Sequence, residues 1–192
     1  MSSDVAVQVL SARQRCDLEL LLNGAFAPLR GFMDQASWES VLTQMRLPDG
    51  SLWPIPITLE LSDHLAQSLE AGATLRLDRE DGTPLARLRV SECYRPDRRR
   101  EALLVYGSDD RRHPGVAQIL DLPPWNVAGT VEPWEDDALR RAAAVEFPPE
   151  YRYPEEIREL ATGRPLLAFQ TRNPLHHAHI AITQAALAEL GE

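Results

Sequence analysis

The sequence contains no lysine, so arginine supplies all 20 basic side chains among its 192 residues. This absence excludes a Walker-type phosphate loop, whose lysine contacts the phosphates, and it excludes Schiff-base chemistry by this chain. No apolar run approaches the roughly 20 residues that a membrane-spanning helix needs. Residues 1–10 also lack the basic and apolar regions of a secretory signal. We therefore expect a cytoplasmic protein that does not enter a membrane.

Cysteine is scarce, with two residues in the whole chain. Cys16 falls in a predicted helix and Cys93 in a predicted strand, and neither has a histidine or a second cysteine at metal-binding spacing. A disulfide scaffold is excluded, because small disulfide-rich domains need several pairs. We expect two buried, reduced thiols and no metal ion held by this chain.

Positive charge is in deficit, since 29 acidic side chains outnumber the 20 basic ones and give a net charge of −9. Non-specific nucleic-acid binding depends on a basic surface, so we expect no nucleic-acid partner. One alternative stays open. Residues 98–100, together with Arg95, Arg111 and Arg112, form either a basic patch of an RNA-binding module or a solvated turn.

Turn and capping residues divide the chain into short elements. Ser11 predicts the start of a helix, with Asn23 and Gly24 at its end, and the apolar loop 24–33 must pack against the protein. Helices are predicted over residues 12–22, 37–45, from 113–116 onward, 137–145 and 154–162. Strands are predicted over residues 53–61, 74–78, 85–94, 102–106 and 125–131, which indicates a small antiparallel sheet or barrel.

A change of pattern near residue 150 predicts two domains, a β-rich domain over 1–150 and a second domain over 151–192. Residues 132–153 are rich in Glu, Asp and Pro and resemble a linker. The apolar run 166–169 predicts a strand buried on both faces, and an apolar helix follows a polar loop. This order is typical of the opening β–loop–α unit of an α/β domain.

The polar loop and the helix start, QTRNPLHHAH over residues 170–179, form the most informative stretch. Asn173 is a good N-cap and Pro174 a good first helical residue, so the helix would begin at the carboxyl end of the strand, where α/β sheets bind ligands. His176 and His179 are three residues apart and would share one helix face. Each histidine alone is more typical of a surface or core residue, and a zinc site would need further ligands. The combination predicts binding of a polyphosphate beside a second small oxyanion.

The residues from Phe169 to His179 resemble the signature of the ATP sulfurylases (sulfate adenylyltransferases), a family of nucleotidylyltransferases. Residues 24–33, 53–61, 105–107 with 113–116, and 125–131 resemble segments of that family's N-terminal domain. The resemblance implies an α+β fold. An N-terminal β-rich PUA-like barrel would be followed by the first β–loop–α unit of a Rossmann-like α/β nucleotidylyltransferase domain.

The resemblance also implies a reaction between ATP and sulfate that gives adenosine 5′-phosphosulfate and pyrophosphate, in sulfate activation or sulfur oxidation. Gln170 and Arg172 would bind sulfate, and Thr171, Arg172 and Asn173 would form the catalytic centre. Such a site needs no general base, because sulfate attacks without losing a proton. Catalysis would come from holding two anions together and neutralising the transition state.

ATP would bind through Gln170, Asn173, His176 and His179, and Mg²⁺ would arrive with the nucleotide. The full-length protein is expected to be a homo-oligomer. The family's catalytic domain continues far beyond the motif, so we expect residues 151–192 to form an incomplete domain with little or no activity alone. The alternative function is a non-catalytic PUA-like module for binding or oligomerisation.

Overall fold

The computed structural model describes residues 5–135, 152–164, 167–172 and 174–190. It divides into two compact units, Met1–Tyr151 and Arg152–Glu192. The strands of the first unit are β1 (Ala6–Val9), β2 (Gly31–Phe32), β3 (Leu59–Leu61), β4 (Thr74–Asp78), β5 (Pro84–Tyr94) and β6 (Trp125–Pro133). Its described helices are α1 (Ala12–Leu22), α2 (Gln35–Gln44), α3 (Asp63–Gln67), α4 (Arg98–Tyr106) and α5 (Pro114–Leu120).

The six strands form one sheet in the order β1-β4-β5-β6-β2, with β3 also paired to β6. The pairing is antiparallel, as predicted, except that β1 runs parallel to β4. Strand β5 is the longest, and its register with β6 shifts between Val90 and Glu92, which leaves a bulge. The α+β class predicted for the chain is confirmed.

The core of the first unit is aliphatic and lies along the sheet. Alternating residues of β4 and β5 are buried, as expected for strands with one face toward the core. Fully buried members include Leu10, Leu18, Leu59, Leu61, Leu75, Leu77, Leu88 and Val127.

Helix α1 has the predicted bounds because its ends carry local signals. The Ser11 side chain accepts from the Gln14 N–H, and the Gln14 side chain accepts from the Ser11 N–H, which makes a capping box. Asn23 caps the other end, and Gly24 continues with a φ of 77°. The predicted second helix begins two residues earlier than expected, at Gln35, because Asp34 accepts from the Ser37 N–H.

One predicted strand of the first unit is wrong, and another is correct only at its C-terminal end. Residues 102–106 belong to helix α4, because Asp97 caps its first turn and Gly107, with a φ of 68°, ends it. Most of 53–61 is irregular, and only Leu59–Leu61 forms a strand. Pro54 and Pro56 have no N–H to donate to a ladder, so regular pairing begins after them.

The second unit contains helix α6 (Pro154–Leu160) and helix α7 (His177–Leu190). Residues 167–169 are not a strand, which corrects the prediction for 166–169; Leu166 itself lies outside the described residues. A strand needs backbone partners, and the described part of this unit contains no second strand to supply them. The predicted helix at 137–145 also lies outside the described residues.

Candidate functional site

Residues 167–176 approach helix α7 as an irregular segment, apart from Asn173, which lies outside the described residues. The helix begins at His177, not at Pro174 as predicted. The N-cap role predicted for Asn173 falls on a residue outside the described ones. The predicted motif therefore lies mainly in the segment that enters the helix, and its C-terminal residues form the first turn.

Two histidine rings form the centre of this segment. The imidazoles of His176 and His179 stack with their centroids 3.8 Å apart and their planes inclined by 27°. The three-residue spacing predicted that they would meet, and the structure brings them together. Phe169 packs against His179, with the two ring centroids 5.3 Å apart.

Phe169 was assigned to a buried strand and not to the site. Its ring is 41% exposed, because the segment is irregular. The signal available in the sequence was an aromatic residue directly before Gln170. Contact across a loop depends on the path of the backbone, however, and residue spacing does not specify that path.

One nitrogen of the imidazole pair is not used in a hydrogen bond within the described structure. The Nδ1 atom of His179 is buried and has no hydrogen-bond partner within the described structure. Buried polar atoms are normally paired, so an unpaired ring nitrogen favours a ligand or water at this point. The amides of the first turn of α7 lie at the same end, where the helix dipole favours anions.

Gln170 and Arg172 are exposed, and Thr171 is half-buried. Among the described residues, no hydrogen bond or ion pair joins Gln170 or Arg172 to the imidazole pair. The structure therefore brings the two histidines into contact but leaves the guanidinium and the carboxamide in solvent. Exposed donors of this kind are available to an oxyanion.

Helix α7 presents apolar side chains to solvent, with no buried residue along its length. Ile180, Ile182 and Leu190 are 44%, 58% and 47% exposed. Apolar surface of this extent is typical of an element that packs against further protein.

The described residues contain no group of three or more His, Cys, Asp or Glu side chains that could hold a metal ion. Within the same residues, no helix has the length and apolar character required to cross a membrane.

Cys93 lies in β5 as predicted and is partly buried, but Cys16 is exposed on α1, so its predicted burial is wrong. A helix at the protein surface buries only one of its faces, and Cys16 is not among the residues on the buried face of α1.

The arginines proposed as a basic patch are all paired with carboxylates. Each of the six lies in an ion pair with a nearby acidic side chain, which neutralises the positive charge that RNA binding would need. The pairs are Arg95–Asp63, Arg98–Glu101, Arg99–Asp109, Arg100–Glu39, Arg111–Asp121 and Arg112–Asp110.

Residues 2–136 match the family model described as "PUA-like domain". The chain belongs to the PUA-like domain family. The match covers the sheet and the helices of the first unit, which agrees with the fold implied by the sequence resemblance.

Relatives extend the similarity into the second unit. The chain is 39% identical over 181 residues to a protein of Trichormus variabilis named sulfate adenylyltransferase, covering 93% of this chain and 45% of that protein. It is 36% identical over 192 residues to the protein of that name from Saccharomyces cerevisiae, covering 98% of this chain and 36% of the relative. The chain thus spans less than half the length of these relatives.

A solved structure gives a similar result. The structure titled "Hexameric APS kinase from Thiobacillus denitrificans" matches with a TM-score of 0.67 and 28% identity, over 97% of this chain and 32% of that chain. The similarity therefore includes the region of the histidine pair as well as the PUA-like unit.

Proposed function

We propose that this chain supplies part of a sulfate adenylyltransferase, with its reactants bound at residues 170–179. The observation that carries the proposal is the stacked imidazole pair at the start of α7, in which the Nδ1 atom of His179 has no partner among the described residues. The names of the relatives support the same reaction. Because the chain spans less than half of each relative, the whole activity is a proposal for a protein that contains both this chain and the remaining part.

The proposed reaction is an in-line displacement at phosphorus. An oxygen of sulfate forms a bond to the α-phosphorus of ATP while the bond from that phosphorus to the α,β-bridging oxygen breaks. The bonding electron pair leaves with pyrophosphate, and the products are adenosine 5′-phosphosulfate and pyrophosphate. No proton moves at the nucleophile, so the protein contributes positioning and charge neutralisation instead of a general base.

The exposed guanidinium of Arg172 is proposed to bind sulfate, because its planar fork of N–H donors matches two oxygens of a tetrahedral anion. Gln170 would donate to the same anion. Thr171 and Asn173 are proposed to lie at the reacting centre, with Asn173 also toward ATP. These roles rest on the resemblance of the segment to the family signature.

The two imidazoles are proposed to face the phosphates of ATP, with Gln170 and Asn173 as further contacts. Ring N–H groups of His176 and His179 would donate to the phosphate oxygens on which charge develops as pyrophosphate leaves. Phe169 packs against His179 and would hold that ring in place. Mg²⁺ is proposed to enter as part of the substrate, bound to ATP.

The test uses a chimera in which this chain replaces the aligned portion of the Trichormus variabilis relative. Sulfate-dependent release of pyrophosphate is compared between the parent chimera, Arg172→Ala and Arg164→Ala. Arg164 is an exposed arginine of the same unit outside the motif, so its removal changes net charge equally. We expect Arg172→Ala to lower kcat/KM by at least about 100-fold, the cost typical of losing one transition-state donor.

Equal activity of the two variants would contradict the role of Arg172. The alternative function, a non-catalytic module for binding or oligomerisation, predicts that outcome, because Arg172 has no part in it. A loss confined to Arg172→Ala, with unchanged thermal unfolding, would support the catalytic proposal.

Cytoplasmic location and self-association are also proposed. The solved structure that this chain resembles is titled as hexameric, and α7 exposes apolar side chains suited to packing. A monomeric mass for the chimera, measured by light scattering, would contradict self-association.

A further inference from the structure

The first unit has an open cleft of about 540 Å³ at the meeting of β2, β5, β6 and the start of α2. Thr130 of β6 lies in register between Gly31 of β2 and Arg89 of β5. The cleft thus belongs to the PUA-like unit, whereas the motif at 170–179 belongs to the second unit.

Two arginines line this cleft, Arg30 and Arg89, and their guanidinium groups have no partner among the residues that the structure describes. Every other arginine described in the first unit has a hydrogen bond, an ion pair or an aromatic ring as partner. The contrast is marked because the chain carries a net charge of −9 and so has abundant carboxylates. Two unpaired guanidiniums on one cleft favour an anionic ligand.

Tight backbone packing holds the strands under the cleft in fixed positions. A Cβ on Gly31 would lie 1.8 Å from the carbonyl oxygen of Gly129, and a Cβ on Gly129 would lie 2.1 Å from the carbonyl oxygen of Arg89. The carbonyl of Arg30 also accepts from the Val131 N–H at 2.9 Å. The backbones that carry the two arginines are therefore placed by the sheet rather than by a free loop.

The rest of the lining suits a small anion with a less polar body. Three hydroxyl-bearing residues line the cleft, Ser37, Ser91 and Thr130, together with apolar Pro28, Leu29, Phe32, Met33, Ala71 and Val90. The one acidic side chain in the lining is Asp34, whose carboxylate accepts from the Ser37 N–H at 2.7 Å. Two positive groups thus face one negative group.

We propose that this cleft binds a small molecule carrying a phosphate-type group with at least two negative charges. Its volume is within the range of about 300–1,000 Å³ that is common for small-molecule sites. Arg30 and Arg89 would each donate to the anion, and the apolar lining would contact any organic body attached to it. The cleft shares no residue with the site proposed for ATP and sulfate, and binding here does not depend on that proposed function.

The probes are pyrophosphate and adenosine 5′-diphosphate, titrated into the 192-residue chain at low salt while the amide resonances of Gly31, Gly129 and Thr130 are followed. Single variants Arg30→Ala and Arg89→Ala are expected to raise Kd by about tenfold each, as expected for lost charge-assisted contacts. The matched control is Arg99→Ala, which removes an exposed arginine that is paired with Asp109. It should leave Kd unchanged.

A second pair of variants leaves both arginines in place. Thr130→Glu would put a carboxylate beside Arg89 and should abolish binding, whereas Thr130→Gln, of similar size, should retain it. Equal affinity for pyrophosphate and adenosine 5′-diphosphate would show that the cleft binds the anion alone. Tighter binding of adenosine 5′-diphosphate would show that the preferred ligand is a phosphate ester with an organic body. No shift at the three amides with millimolar probe, or equal weakening in Arg99→Ala, would overturn the proposal.

Discussion

Among the buried carboxylates, those of Glu60 and Glu101 lie in charged surroundings that affect stability. Glu60 is 2% exposed and accepts hydrogen bonds of 2.8 Å from Arg13, Gln14 and Thr58. Glu101 is 5% exposed and pairs with Arg98 at 2.9 Å. Burial raises the pKa of Glu101, the Arg98 guanidinium opposes that change, and the nearby charge of Glu60 adds to it.

Replacing Glu101 with Gln should change how stability depends on pH. Since the folded pKa of Glu101 lies above its ordinary value of 4.5, the unfolded carboxyl ionises first as pH rises. Unfolding then releases a proton, so the wild-type chain loses stability above about pH 4.5 until the folded carboxyl also ionises. Urea titration at several pH values would measure the free energy of unfolding of wild type and of Glu101→Gln. The wild-type value minus the Glu101→Gln value should fall across this pH window.

Glu39→Gln is the matched control with the opposite sign. Hydrogen bonds from Arg100 lower the pKa of Glu39, so the wild-type advantage over Glu39→Gln should grow as pH rises through the acid range. The raised pKa of Glu101 would be contradicted if the difference in the free energy of unfolding between wild type and Glu101→Gln stayed constant. It would also be contradicted if that difference grew with pH, as it should for Glu39→Gln.

At the candidate site, the sequence predicted the contact between side chains that are close together in the chain. His176 and His179 are three residues apart, and the turn that enters a helix brings residues at this spacing close together. It did not predict Phe169 on His179, or the solvent exposure of Arg172, because both depend on the path of an irregular segment. The roles assigned to Gln170 and Arg172 remain predictions.

At the scale of elements, predictions succeeded where the signals are local. Helix α1 has capping residues at both ends, and β4 has the predicted bounds. Strand β1 was missed because its support is the parallel pairing with β4, which lies far away in the sequence. The short apolar run in α4 was assigned to the wrong class because such runs suit either a strand or a helix, and Asp97 and Gly107 decide between them.

The packing of β2 against β6 gives a prediction for Gly31→Ala. The new Cβ would meet the backbone of Gly129 and Thr130, which cannot move without opening the sheet. We expect a loss of about 2–4 kcal/mol in the free energy of unfolding, or failure to fold, as for other overpacked sites. Chemical denaturation would measure it.

Gly115→Ala is the control for this substitution. Its Cβ would lie 2.5 Å from the ring of Tyr106, but that ring is 42% exposed and can turn away. Alanine also favours helix α5, so the change should stay within about 1 kcal/mol. Equal losses in the two variants would show that backbone crowding at β2 is not the cause.

At the scale of the whole molecule, the two units differ in how much apolar surface each of them buries. The PUA-like unit has a continuous aliphatic core and matches its family over residues 2–136. The second unit has two described helices, and α7 buries no side chain. The chain spans 45% of the Trichormus variabilis relative, so catalysis is proposed for the protein that contains the remaining part as well.

Sulfate labelled with ¹⁸O at all four oxygens tests the central claim most directly. The chimera is incubated with this sulfate and Mg-ATP, and the product is examined by ³¹P NMR. If a sulfate oxygen attacks the α-phosphorus, the adenosine 5′-phosphosulfate formed must carry ¹⁸O bonded to phosphorus, and Arg172→Ala should form little of it. Release of pyrophosphate without sulfate, or product phosphorus that carries no ¹⁸O, would contradict the proposed function.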